Sequence, residues 1–160
     1  MGVISPVNAS AVVVDANVLV SLCAKEVGKY PVALAQIRQY ASAGCVFYAP
    51  GVLIAECLYA LCRQLASQLL APADHAIAVQ TLDNYLQSIQ PPPFGDSALM
   101  RRAEEVRGSY GCSHSADGLY IALAEALSVG GAAELVTFDV DLRKQALANA
   151  PTVSVRLLSP

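Results

Sequence analysis

The sequence predicts an α/β fold, with helices packed around a mainly parallel sheet, and three observations carry that expectation. Short β-branched runs alternate with longer stretches in which apolar residues recur at helical spacing. The chain has 160 residues, 55% of them hydrophobic and only 14% charged, which supplies a sizeable core. That size suits one domain over residues 1–160, with its core at about 12–158. Two of the β-branched runs lead into an aspartate, as strands do at the ligand-binding edge of an open α/β sheet.

Each element follows from local signals. Residues 11–14 (Ala-Val-Val-Val) read as a buried strand ending at Asp15, and 18–25 as a short helix. Pro31 suits the start of a helix that reaches 42, where Gly44 stops it. Residues 46–49 form a second strand. Pro50 and Gly51 open a long helix to about Leu70, in which Glu56 lies among Leu53, Ile54, Cys57, Leu58 and Leu61. Pro72 breaks it, and 73–88 pairs back on it as a helical hairpin, followed by an extended piece at Ile89. The run of three prolines at 91–93 forces an extended connection. Asp96 is a good N-cap for a helix reaching about Tyr110. After a loop at 111–114, residues 115–129 form a strongly apolar helix with Asp117 in its first turn, ended by Gly130 and Gly131. A strand at 134–138 runs into Asp139, a short helix covers 141–148, and a last strand covers 152–158.

Composition removes several functional classes. No apolar stretch approaches the roughly 20 residues that span a bilayer, and the first ten residues lack a basic leader, so a cytoplasmic location with no membrane is expected. Five cysteines without a CxxC pair read as buried free thiols. With His75 and His114 the only histidines, a His-rich zinc site is ruled out.

Four carboxylates carry the chemistry. Asp15 and Asp139 fall at strand ends, and Asp117 and Glu56 sit in helices otherwise apolar around them. An ionised carboxylate on an apolar face is costly unless paired or bound to metal, and several together raise each other's pKa. A hard divalent cation such as Mg²⁺ or Mn²⁺ resolves that conflict with oxygen ligands. Simpler roles stay open: Asp15 as a helix cap, Glu56 as a solvent-facing residue, Asp117 as a partner of the helix dipole, and Asp139 as a turn residue with Asp141 the cap.

The segments Val-Val-Val-Asp15-Ala-Asn17-Val-Leu-Val, Leu-Ile-Ala-Glu56-Cys-Leu-Tyr-Ala-Leu after Pro50, Ser115-Ala-Asp117-Gly-Leu-Tyr120-Ile-Ala-Leu-Ala-Glu, and Leu-Val-Thr137-Phe-Asp139-Val-Asp141-Leu resemble, in order, the four motifs of PIN-domain nucleases. Among these the chain is most similar to VapC-type toxin ribonucleases, over about residues 12–158. The resemblance implies a PIN-like α/β/α sandwich and a quartet, Asp15, Glu56, Asp117 and Asp139, that binds Mg²⁺ or Mn²⁺ and hydrolyses RNA. It places Asn17 and Thr137 as residues that orient the ligands or the scissile phosphate, and it leaves Asp141 as a rival to Asp139. It also implies an antitoxin protein as a partner. Gly118 departs from the pattern, because such helices usually carry Ala there and glycine weakens a helix interior by up to about 1 kcal/mol. A non-catalytic module of the same fold and a structure-specific DNA nuclease are the alternatives.

The net charge of −3 argues against simple electrostatic attraction to nucleic acid, so cations must supply positive charge at the scissile phosphate. Arg101, Arg102 and Arg107 before Asp117, and Arg143 with Lys144 after Asp139, are candidate RNA contacts, although such residues commonly form a solvated face. His114 is close enough to Asp117 in sequence for a substrate role. The high apolar fraction leads us to expect a homodimer that covers exposed patches.

Overall fold

The computed structural model describes residues 8–160. The expectation about a leader falls mostly on residues 1–7, outside those described. Along the chain run β1 (Ala11–Val14), α1 (Ala16–Cys23), α2 (Lys29–Ser42), β2 (Val46–Tyr48), α3 (Val52–Ala66), α4 (Pro72–Leu86), β3 (Ile89–Gln90), α5 (Met100–Arg107), α6 (Ser115–Ser128), β4 (Ala133–Thr137), α7 (Val140–Asn149) and β5 (Ser154–Leu157). The five strands form one sheet in the order β3-β2-β1-β4-β5, with every neighbouring pair parallel. The α/β expectation therefore holds, and the extended piece at Ile89 is a true edge strand.

Strand order places the functional edge. The chain lays β2 and β3 on one side of β1, then returns to lay β4 and β5 on the other. The reversal lies between β1 and β4, and a crevice opens beyond the carboxyl ends of strands at such a point. Val12, Val13, Val14, Leu135 and Val136 are buried at this centre, as a sheet covered on both faces requires. Among the described residues no helix is long and apolar enough to cross a membrane.

Several boundaries differ from expectation for identifiable reasons. Helices α1 and α3 end earlier than their apolar patterns suggest. Lys25 and Gln68 close them with φ of 51° and 61°, and the amides of Glu26 and Leu69 reach back to the carbonyls of Ser21 and Gln64. These are glycine-style Schellman endings made without glycine. Asp96 does not cap its own helix: it begins a 3-10 turn, Asp96–Leu99, and its carboxylate accepts the Gly51 amide at 2.9 and 3.0 Å, at the start of α3. The α5 helix stops at Arg107, because Gly108 has φ 52°.

Gly118 turns from a weakness into a packing requirement. A Cβ built there would lie 2.4 Å from the Ala103 carbonyl oxygen, so α5 and α6 approach backbone to backbone at this point. Helix propensity favours Gly118→Ala by up to about 1 kcal/mol, but overpacking against a backbone costs about 1–3 kcal/mol. We predict that Gly118→Ala lowers the melting temperature; a rise, measured by calorimetry, would show that α5 yields without cost.

Candidate metal centre

The crevice beyond β1 and β4 is organised around the hydroxyl of Thr137, the last residue of β4. This hydroxyl accepts hydrogen bonds from the Asp139 amide at 2.8 Å and from Asn17 Nδ2 at 3.2 Å. With its acceptor side so used, it donates to Asp15 Oδ2 at 2.6 Å. The Asn17 Oδ1 accepts from the Phe138 amide at 3.1 Å. Asn17 and Thr137 thus tie the β1–α1 turn to the β4–α7 turn across the point where strand order reverses.

Asp15 occupies the N-cap position of α1 with extended backbone angles, but its side chain makes no capping bond to that helix. The carboxyl group is instead aimed at Thr137 in a site where only 6% of the residue is exposed. Burial pushes its pKa up to about 7, opposed by the Thr137 hydroxyl and reinforced by the charges of Asp117 and Glu56.

The other carboxylates approach from three further elements. Glu56 lies half-buried on α3 between Leu53 and Cys57, and the Tyr120 hydroxyl donates to its Oε2 at 2.6 Å. Its pKa is raised by burial, lowered by that hydrogen bond and raised again by Asp117. Asp117, in the first turn of α6, has Oδ2 at 2.9 Å from His114 Nδ1. Its pKa is raised first by burial, lowered by the His114 hydrogen bond, and raised by Asp139 ahead of Asp141. Asp139 lies two residues past the end of β4 and caps α7, its Oδ1 accepting the amides of Asp141 at 2.7 Å and Leu142 at 3.3 Å. Asp141 is turned outward, its side chain 64% exposed and paired with Lys144 at 3.2 Å.

The four acids surround the crevice rather than converge on one point. Among the described residues no three His, Cys, Asp or Glu side chains stand close enough together to hold a metal ion directly. Each carboxylate spends one oxygen on a donor of its own. The donor set still fits one class of ion. Oxygen ligands at a partly dry edge suit Mg²⁺ or Mn²⁺, which keep several waters and take one or two carboxylates directly. They do not make the closed set of nitrogen and sulfur ligands of a structural zinc site.

The basic candidates separate into two groups. Arg102 forms a fork with Glu125 at 2.6 and 2.9 Å and also reaches the Asn149 carbonyl, so it braces α5 against α6 and α7. Arg107 pairs with Glu104 and donates to the Tyr110 carbonyl at 2.7 Å. In this arrangement both guanidiniums serve the fold. Arg101 and Arg143 are exposed. Lys29 stands 5.6 Å from the centre of the Phe138 ring and pairs with Glu26 at 3.4 Å. Tyr120 was missed as a site residue; its signal was its place three residues after Asp117, on the same side of α6.

A family model described as "PIN domain" matches residues 12–147. Among solved structures, the fold is similar to a chain in the crystal structure of VapBC2 from Rickettsia felis bound to a DNA fragment from their promoter. That likeness has a TM-score of 0.57 at 15% identity, and covers 93% of this chain and 99% of the other. No curated protein matches.

The raised pKa of Asp15 has a definite consequence for stability. Its folded value of about 7 exceeds its ordinary 3.8, so the folded protein retains a proton that the unfolded chain has lost. The stability this supplies is complete below about pH 4 and is lost at about 1.4 kcal/mol per unit as pH rises to 7. Asp15→Asn removes that loss. The melting temperature of the metal-free variant is expected to exceed that of the wild type by more at pH 7.5 than at pH 5; a gap independent of pH would place the Asp15 carboxyl in contact with water.

Proposed function

Because the chain belongs to the PIN domain family, we propose that it is a Mg²⁺- or Mn²⁺-dependent endoribonuclease, the toxin of a toxin–antitoxin pair. The observation that carries this reading is the grouping of Asp15, Glu56, Asp117 and Asp139 at the carboxyl edge of β1 and β4, where the charges of Asp117 and Glu56 act on Asp15 and that of Asp139 acts on Asp117. These four residues would hold the cation, one or two of them directly and the others through its waters, with Asp139 rather than Asp141 as the fourth, since Asp141 is turned outward toward Lys144. A bound divalent ion supplies an activated water and stabilises charge on the leaving oxygen.

The protein's own groups do the rest. Thr137 and Asn17 fix the direction of the Asp15 carboxylate, so that its charge is set before substrate arrives. Arg101, Arg143 and Lys144 remain the candidates for contact with RNA phosphates.

An antitoxin partner is supported by the fold's likeness to a protein solved within VapBC2. We further propose one domain, a homodimer and a cytoplasmic location. The dimer draws support from Ile54, Leu58 and Tyr59 on α3 and Ile77 on α4, all exposed large apolar side chains.

The test is cleavage of single-stranded RNA with Mn²⁺. The wild type cleaves it, EDTA stops cleavage, and Asp15→Asn falls below detection while remaining folded. Cleavage that survives both treatments would refute the metal mechanism. Mn²⁺ binding without cleavage of RNA would identify a non-catalytic module, and preference for DNA a structure-specific nuclease.

A further inference from the structure

We infer that Tyr120 is a positioning residue for the cation site, holding Glu56 in the orientation in which its carboxylate serves a divalent ion. The inference rests on the metal-site reading above and assigns part of that site to a residue outside the acidic quartet.

Tyr120 lies on α6 one turn beyond Asp117, so the two side chains leave the helix on the same side. The residue has no solvent exposure, and its hydroxyl donates to Glu56 Oε2 at 2.6 Å. One helix therefore carries both a carboxylate of the site and the donor that fixes another, and the separation of Glu56 from Asp117 is set by a rigid element rather than by a loop.

This contact matters because of what glutamate is. Its side chain has three rotatable bonds, and freezing them on ion binding costs conformational entropy. Its position, half-buried on α3, also lets an untethered carboxylate swing toward solvent. A donor in place beforehand removes that cost from the binding step. It also occupies one oxygen of Glu56 and leaves the other for an ion. Packing alone calls for nothing more than phenylalanine at this buried position. The hydroxyl is the part of Tyr120 that packing leaves unexplained, and Glu56 is its partner.

The experiment is a double-mutant cycle read by calorimetric titration with Mn²⁺ on the full chain, using wild type, Tyr120→Phe, Glu56→Gln and the double variant. Tyr120→Phe removes only the hydroxyl and is expected to weaken Mn²⁺ binding about 10-fold or more, as loss of a ligand's outer partner does. In the Glu56→Gln background the same substitution is expected to change affinity by less than about twofold, because the residue acts through Glu56. Unchanged affinity in Tyr120→Phe overturns the inference, as does an equal loss in both backgrounds, which marks a general packing role. Unchanged affinity in Glu56→Gln alone overturns it independently of how Tyr120→Phe folds. A wild type that binds no Mn²⁺ refutes the metal reading itself, and this inference with it.

Discussion

Asp15 is a carboxyl group with little access to water, within reach of the charges of two other carboxyl groups. Burial penalises its charge, and the charges of Asp117 and Glu56 add to the penalty. Left alone, such a group would stay protonated near neutral pH. The surroundings limit this with a hydrogen bond from Thr137, whose hydroxyl is committed to that direction because Asn17 and the Asp139 amide occupy its acceptor side. The result is a carboxyl group whose charge burial opposes and Thr137 favours, and a bound divalent cation would draw it into the ionised form.

The fold exists in a form that makes this arrangement possible. Parallel β1 and β4 are neighbours although most of the chain separates them, and their carboxyl ends open on the same crevice. Glu56 and Asp117 then arrive on α3 and α6, the latter fixed by a helix contact so close that only glycine fits at 118. Precision at the site thus comes from regular elements for Glu56 and Asp117, and from two short turns pinned by Asn17 and Thr137 for Asp15 and Asp139. The negative net charge belongs to the same logic, because under the proposed function cations would supply the positive charge that phosphate requires.

Much of this was legible in the sequence. The strands β1 and β4 stand out as β-branched runs, and carboxylates amid apolar residues advertise themselves because burying them is expensive. What was hidden has physical reasons. Lys25 and Gln68 end helices in a conformation that sequence rules reserve for glycine. Asp96 looks like a local cap, yet its partner is an amide 45 residues away. A tyrosine in an apolar helix reads as core, so the bond from Tyr120 to Glu56 appears only when α3 and α6 are seen side by side. Arg102 and Arg107 looked available until their acidic partners came into view. Gly118 looked like a defect because its reason, the Ala103 carbonyl, lies on another helix.

The central claim is that these dispersed carboxylates form one cation site, and locating the ion tests it most directly. Crystals grown with Mn²⁺ and measured at an energy where manganese scatters anomalously should show a peak beyond the ends of β1 and β4. That peak should contact at least one of Asp15, Glu56, Asp117 and Asp139, with water completing its coordination. No peak in the crevice at saturating Mn²⁺, or peaks only at exposed acids such as Asp141, would contradict the account.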